Sequence, residues 1–277
     1  MTKLCVLLTG ATGFVGRQIL KSLAESDIQV IPVVRSGKES IMRQHPNVGR
    51  IISSPDIFQE TADWWAEQCK EIDVVIHAAW YAEPGKYLQS AKNMDCLIGS
   101  LNLAQGATTA GVKRFVGIGT CFEYDLSAGV LSIDTPLNPS TPYASAKAAL
   151  YMGLSQWLPE QSVEFAWCRL FYLYGEGEDE RRLVPYIHKQ LSIGKAVELT
   201  SGEQIRDFLD VSEAGRLITE VALGSRCGPI NICSGVPVTV RQLAEEIAQK
   251  YGRHDLLKFG ARSENLVDPP CVLGVCT

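Results

Sequence analysis

Short apolar runs alternate with longer helical stretches through the first 170 residues, and no other feature narrows the possible folds as far. Residues 3–8, 30–34, 50–53, 73–77, 114–118 and 165–170 read as strands. Residues 15–24, 88–110 (closed by Gly111) and 143–157 (stopped before Pro159) read as helices, and 61–70 is a polar, Trp-containing stretch before the fourth strand. Strands apolar on both faces, alternating with helices, mean βαβ units and a parallel sheet covered on both sides. The expected fold class is α/β, a doubly wound parallel sheet with a smaller α/β lobe at the C-terminal end. Past residue 175 the pattern loosens: 175–182 is charged and loop-like, 183–193 looks helical, and Val240–Tyr251 is an amphipathic helix. The expected organisation is a main unit over 1–170 with a return segment near 206–226, and a small substrate lobe over 171–205 and 227–277.

Composition removes several other classes. With 277 residues, 46% of them hydrophobic, the chain buries a core without staples. A net charge of -5 fits neither disorder nor a nucleic-acid surface. No apolar run approaches the roughly 20 residues of a membrane helix, so no membrane partner is expected. The apolar start at 4–8 runs into Gly10 without a small-residue cleavage site, so no signal peptide is expected. The nine cysteines (5, 69, 96, 121, 168, 227, 233, 271 and 276) are scattered and form no CxxC pair. Buried free thiols in a reducing, cytoplasmic setting are the expectation. The four histidines form no HxxH or HExxH pattern, and no metal site is expected.

The turn after the first strand carries the first chemical motif. Gly10, Thr12, Gly13, Phe14, Val15 and Gly16 lie in a GxxGxxG pattern between a strand and a helix. Glycines there permit a tight turn and close approach of backbone to a diphosphate, and the helix amino end presents N–H groups to it. A Rossmann-type dinucleotide site follows. An acidic residue after the second strand would hold a ribose 2′-hydroxyl. This chain has Val33-Val34-Arg35-Ser36-Gly37-Lys38 instead, with no acid before Glu39. Arg35 suits a 2′-phosphate, which favours NADP(H) and leaves NAD(H) possible. Asp56 and Ile57, after the third strand, stand where an adenine would be received, although Asp56 after Pro55 reads equally as a turn residue.

The second motif is Tyr143-Ala144-Ser145-Ala146-Lys147. On a helix, YxxxK puts both side chains on one face, one turn apart. An ammonium beside the phenol is expected to lower its pKa from about 10 and make it a usable acid or base near neutral pH.

With these motifs the chain resembles the extended short-chain dehydrogenase/reductase family, in its nucleotide-sugar-modifying branch. The resemblance spans nearly the whole chain. It rests on GATGFVG (10–16), His77-Ala78-Ala79, GTCFEY (119–124), YASAK (143–147), Arg169-Leu170-Phe171 with Tyr174-Gly175, and Arg206-Asp207-Phe208. It implies a catalytic set of Thr120, Tyr143 and Lys147. Tyr143 protonates a carbonyl oxygen as hydride arrives, Thr120 hydrogen-bonds the same oxygen, and Lys147 binds the nicotinamide ribose. It implies that Ala78, Ala79 and Trp80 flank the cofactor, that Arg206 contacts the diphosphate of a nucleotide sugar, and that Cys121, Phe122 and Tyr172 face the substrate. It also implies a homodimer formed through the 88–110 and 143–158 helices.

Departures from the family narrow the reaction. Its 4,6-dehydratases place Asp-Glu directly after the catalytic Thr. Cys121 and Phe122 stand there, and Glu123 is one position out of register. The epimerase–reductases that make GDP-fucose carry a Cys and a His where this chain has Phe122 and Arg182. Reduction of a 4-keto group remains, and the GTCFEYD stretch is similar to 4-ketoreductases of dTDP- or CDP-linked 4-keto-6-deoxyhexoses. A nucleotide-sugar 4-epimerase with tightly bound NAD, and a non-catalytic NADP-binding regulator, are the alternatives. Cys96, with Asn93 one turn earlier, stands where the family often has Asn, and Tyr172 replaces another Asn. Family members usually run past the 268–270 region into another helix, which implies a trimmed lobe or an unusual end.

Overall fold

The computed structural model describes residues 3–264 and 268–276. Seven strands form the main sheet: β1 (Leu4–Thr9), β2 (Ile28–Arg35), β3 (Ile52–Ser54), β4 (Val74–His77), β5 (Arg114–Thr120), β6 (Glu164–Leu170) and β7 (Gly228–Ile232). Their spatial order is β3-β2-β1-β4-β5-β6-β7, and all neighbours run parallel. The chain therefore reverses its direction of winding between β1 and β4. Ligands of such sheets bind in the crevice outside the carboxyl ends at that point.

Seven helices matter for the site: α1 (Phe14–Leu23), α2 (Ala62–Gln68), α3 (Lys92–Ala110), α4 (Pro142–Glu160), α5 (Leu183–Ser192), α6 (Val211–Leu223) and α7 (Val240–Tyr251). Alternate residues of β1 point to opposite faces. Val6 and Leu8 join Ile19 and Leu20 of α1 and Ile218 of α6. Leu7 joins Trp65 of α2, Leu103 of α3 and Leu154 of α4. Each such side chain contributes roughly 1.5–3 kcal/mol on burial. Helices on both faces approach closely at glycine: a Cβ at Gly215 would lie 2.7 Å from Gln18, and one at Gly106 would lie 2.5 Å from the Ala62 carbonyl.

The lobe is built on a mixed sheet around Ile205–Asp210. That strand pairs in parallel with Tyr172–Tyr174 and Cys271–Gly274, and antiparallel with Pro237–Thr239. A separate apolar cluster joins α5 and α7, through Val184, Ile187, Leu243 and Ile247. Among the described residues no helix is long and apolar enough to cross a membrane.

Several boundaries differ from the sequence expectation. The helix of 143–157 continues to Glu160 with Pro159 inside it. Proline lacks one N–H, and in the last turn that loss is small because Gln161, Ser162 and Val163 close the end by bonding back to Leu158 and Pro159. The helix expected from residue 88 starts at Lys92, because Ser90 is extended and Tyr87–Gln89 is a separate 3-10 turn. The polar stretch 61–70 contains α2, capped by the Thr61 hydroxyl. Gly228–Ile232, assigned to the lobe, pairs with β6 in the main sheet, whereas Ile205–Asp210 belongs to the lobe sheet. Return to the main sheet thus runs through α6 and β7.

Candidate active site

The glycine turn closes tightly on itself. Gly10 has φ +71, and a Cβ there would sit 2.8 Å from the Ala79 nitrogen. A Cβ at Gly16 would sit 2.0 Å from the Gly10 carbonyl oxygen. The Gly13 N–H bonds that same oxygen at 2.8 Å, and the Arg17 guanidinium ties down Thr12 O at 3.0 Å. Beside the turn lies a cleft of about 480 Å³. Gly10, Thr12, Gly13, Arg35, Asp56, Ile57, Ala78, Ala79 and Trp80 all line it, whereas Phe14, Val15 and Gly16 open α1 behind. Backbone that admits no side chain, at a helix amino end and a sheet switch point, fits a nicotinamide dinucleotide.

Two details stand near the far end. Asp56 Oδ1 accepts the Phe58 N–H at 3.1 Å, the turn arrangement weighed as its alternative. Glu39, beyond the stretch read for an acid, accepts the Ser53 hydroxyl at 2.5 Å and the Gly37 N–H at 3.2 Å. These bonds hold its carboxyl below the ordinary value.

The structure brings Thr120, Tyr143 and Lys147 together next to Trp80, just outside the lining of this cleft. Thr120 ends β5. Tyr143 and Lys147 sit one turn apart at the start of α4, where Pro142 and the Thr141 hydroxyl set the helix entry. The Tyr143 ring stands edge-on to Tyr87 (4.8 Å) and Trp80 (6.4 Å), with Thr120 beside its phenol. Lys147 Nζ donates to Ile118 O at 2.6 Å and lies 3.8 Å from the Trp80 ring centre. Asn93, fully buried, fixes Trp80 by accepting its indole N–H at 2.9 Å. Cys96 is buried on the same helix, and burial pushes its thiol up to about 11.

The electrostatics correct the sequence expectation for Tyr143. Its pKa is raised, not lowered: desolvation dominates and the neighbouring Tyr87 adds to it. Lys147 does not offset this, because its ammonium faces a carbonyl and an indole ring. Burial also pushes Lys147 down, to about 7, with Glu123 pulling the other way. Tyr143 is therefore a neutral phenol at physiological pH, a proton donor in its resting form.

Beneath Thr120 lies a buried network that the sequence reading missed as chemistry. Glu123, fully buried, accepts the Thr120 N–H at 2.8 Å, the Trp167 indole N–H at 3.0 Å and Arg169 Nε at 2.7 Å. Arg169 Nη1 donates to the Tyr124 hydroxyl, which donates to Asn231 Oδ1 at 2.8 Å. Burial pushes the Glu123 carboxyl up, and Arg169 draws it back. The available signal was a charge inside each apolar run, Glu123 after β5 and Arg169 within β6.

A second buried polar chain crosses the switch point. Thr9 Oγ1 meets His77 Nδ1 at 2.8 Å, and His77 Nε2 meets Ser100 Oγ at 2.7 Å. Burial, with the Lys147 charge second, pushes the imidazole down to about 3. The native state thus binds fewer protons here than the unfolded chain, so stability held above about pH 6.5 is lost as pH falls toward 3. Urea melts from pH 7 to pH 5 should show a steeper loss of stability for the native sequence than for His77→Gln, by up to about 1.4 kcal/mol per pH unit. Equal slopes would remove His77 as the cause.

On the substrate side, Cys121 is buried with its thiol pushed up by burial. Phe122 stands edge-on to Tyr172 at 6.1 Å. Arg206 lies 5.2 Å from the Tyr172 ring centre, is almost fully buried, and pairs with Asp268 at 2.7 Å. The guanidinium expected to contact a diphosphate is thus paired with a carboxylate of the chain itself. Arg182, not singled out as a site residue, lies 5.5 Å from the centre of the Tyr87 ring, which also stands edge-on to Tyr143.

Comparison with known proteins places this geometry. Residues 6–233 match the family described as "NAD dependent epimerase/dehydratase family". The chain is 25% identical, over 97% of its length and 98% of the relative's, to a dTDP-6-deoxy-L-talose 4-dehydrogenase (NAD(+)) from Aggregatibacter actinomycetemcomitans. Its fold matches a UDP-N-acetylglucosamine 4-epimerase from Methanobrevibacter ruminantium M1 (TM-score 0.86, 22% identity, covering 100% of this chain and 91% of that one). It also matches the dTDP-glucose 4,6-dehydratase DesIV from Streptomyces venezuelae (TM-score 0.82, 21% identity, 99% and 88% covered), solved with NAD bound. The glycine cradle, the parallel sheet and the matched span together make this chain a member of the NAD-dependent epimerase/dehydratase family, with the extended short-chain dehydrogenase/reductase fold.

Proposed function

We propose that the chain is an NADPH-dependent reductase of the 4-keto group of a dTDP- or CDP-linked 4-keto-6-deoxyhexose. One observation carries the reading. Thr120 and the neutral Tyr143 phenol lie near one another beside Cys121 and Phe122, which are a buried thiol and an aromatic ring. This face offers a proton donor for a ketone oxygen and no carboxylate at the two positions where elimination of water uses acid and base. The A. actinomycetemcomitans relative supports oxidoreduction at the 4-position of a dTDP-linked deoxyhexose.

A nicotinamide cofactor, when bound, supplies the hydride that adds to the carbonyl carbon. Tyr143 gives its phenolic proton to the carbonyl oxygen, and Thr120 holds that oxygen by a hydrogen bond. Lys147 would hold the nicotinamide ribose. Gly10, Thr12, Gly13, Phe14, Val15 and Gly16 would hold the diphosphate, with Ala78, Ala79 and Trp80 along its flank and Asp56 and Ile57 at the adenine. Arg206 and Tyr172 would take the nucleotide-sugar side.

Arg35 and Lys38 both line the far end of the cleft, which supports a 2′-phosphate and hence NADP(H). Glu39 favours a second reading, NAD(H) held by its 2′-hydroxyl, and with it a nucleotide-sugar 4-epimerase. The intact Thr120, Tyr143 and Lys147 set speaks against a non-catalytic regulator. Two further parts of the reading are a homodimer and a cytoplasmic location. The first rests on exposed Met94, Ile98 and Leu101 of α3 and Met152 of α4, the second on scattered cysteines.

NADPH consumption with dTDP- and CDP-4-keto-6-deoxyhexoses tests the assignment, with product stereochemistry read by NMR. No consumption, together with NAD copurifying and 4-epimers interconverting, would move the chain to the second reading. Arg35→Ala should raise the KM for NADPH roughly 10-fold or more and leave that for NADH nearly unchanged. An equal rise for both would remove Arg35 from cofactor choice.

A further inference from the structure

Two cysteines that the site does not use meet where the lobe joins the main sheet. Cys233 follows β7 and is buried, and Cys276 follows the strand Cys271–Gly274 and is exposed. Their sulfurs lie 3.7 Å apart across 43 residues of chain. The backbone around them leaves room for sulfur and little else. A Cβ at Gly274 would lie 2.6 Å from Cys233 Sγ, and one at Gly235 would lie 3.0 Å from Cys276 Sγ. Asp207 already knits the same two segments. Its Oδ1 accepts the Ser234 N–H and hydroxyl, and its Oδ2 accepts the N–H groups of Gly235 and Gly274. Asp207 follows Arg206 on the strand that pairs directly with Cys271–Gly274.

We infer that Cys233 and Cys276 form a reversible disulfide latch, oxidised by a small-molecule disulfide such as oxidised glutathione, that ties the lobe strand Cys271–Gly274 to the end of β7. The order of events follows from exposure. The exposed Cys276, as thiolate, attacks one sulfur of the small disulfide; that S–S bond breaks, a mixed disulfide forms and one small thiol leaves. The Cys233 thiol then loses its proton and attacks the Cys276 sulfur, forming the internal bond and expelling the second small thiol. Two protein thiols are oxidised and one small disulfide is reduced to two thiols. Burial holds the Cys233 thiol up, so this second step is the slow one. Cys227, the other exposed cysteine, has no second sulfur recorded near it; its contacts are Arg114 Nη1 and the Ser225 carbonyl.

The latch is independent of the proposed reaction, and its test does not read turnover. The folded full-length protein is incubated with millimolar oxidised glutathione without denaturant, then analysed by intact mass and by non-reducing peptide mapping. The expected result is loss of two hydrogens, a Cys233–Cys276 cross-linked peptide, and reversal by dithiothreitol. Oxidation should raise the Tm by on the order of 5–10 °C, as closing a loop of this length does in favourable cases. Cys276→Ser should abolish both the mass change and the Tm shift while leaving the Tm of the reduced protein close to the native value. A stable glutathione adduct on Cys276 with no internal bond, unchanged mass, or cross-linking through a different pair would each overturn the latch.

Discussion

Tyr143→Phe should lower kcat by roughly 10²–10⁴-fold and leave the affinity for the dinucleotide nearly unchanged. The ring keeps its edge contacts to Tyr87 and to Trp80 of the cleft, so the local packing persists. What disappears is a proton held on the phenol by burial. The pH dependence adds a sign. Tyr143 is raised, so it keeps its proton through the working range. Lys147 is lowered to about 7, so its charge is present below that pH and lost as pH rises through it. In the native enzyme kcat/KM should therefore fall above about pH 7. Stopped-flow cofactor binding and steady-state turnover separate the two effects, and full turnover by Tyr143→Phe would overturn the assigned proton donor.

Glu123→Gln should cost about 3–5 kcal/mol of stability, because it leaves the Arg169 charge buried without its counter-ion. The pair lies entirely out of solvent, and Arg169 Nη2 has no hydrogen-bond partner among the described residues. A fall in Tm of roughly 10 °C follows. Turnover reads a separate contact. Glu123 accepts the Thr120 N–H and so sets the backbone from which the Thr120 hydroxyl projects. The double variant Glu123→Leu/Arg169→Met separates the causes. It should recover part of the lost stability, because both charges leave together. It should lose turnover, because Leu, unlike Gln, offers the Thr120 N–H no acceptor. Thermal melts beside kcat measurements decide this; native turnover in the double variant would reduce Glu123 to a structural residue.

The cradle was legible because its constraint is local. A turn between strand and helix that admits no Cβ selects glycine at fixed spacing, and Gly10 and Gly16 obey it. Tyr143 and Lys147 were legible because helical period alone puts them on one face. Their charge state was not. Lys147 turns to Ile118 O and Trp80, and those partners come from β5 and the segment after β4. The sequence suggested a phenol tuned down, and burial set it the other way. Likewise Glu39 was passed over because it lies just beyond the second strand, and only the pairing of β2 with β3 brings Ser53 to it.

The sequence by itself determined the succession of strands and helices, the place of the glycine cradle and the pairing of Tyr143 with Lys147 on one helix face. These follow from apolar periodicity, glycine spacing and one helical turn, all of which act within about ten residues. Only the tertiary structure decided what holds them. Glu123 and Arg169 stand 46 residues apart in the chain and meet because β5 and β6 pair with Gly119 opposite Arg169. Arg206 meets Asp268, and Cys233 meets Cys276, through strand pairings of the lobe that leave no periodic trace in sequence. Burial, which sets the protons on Tyr143, Lys147 and His77, is a sum over all of these elements and exists only once they are assembled.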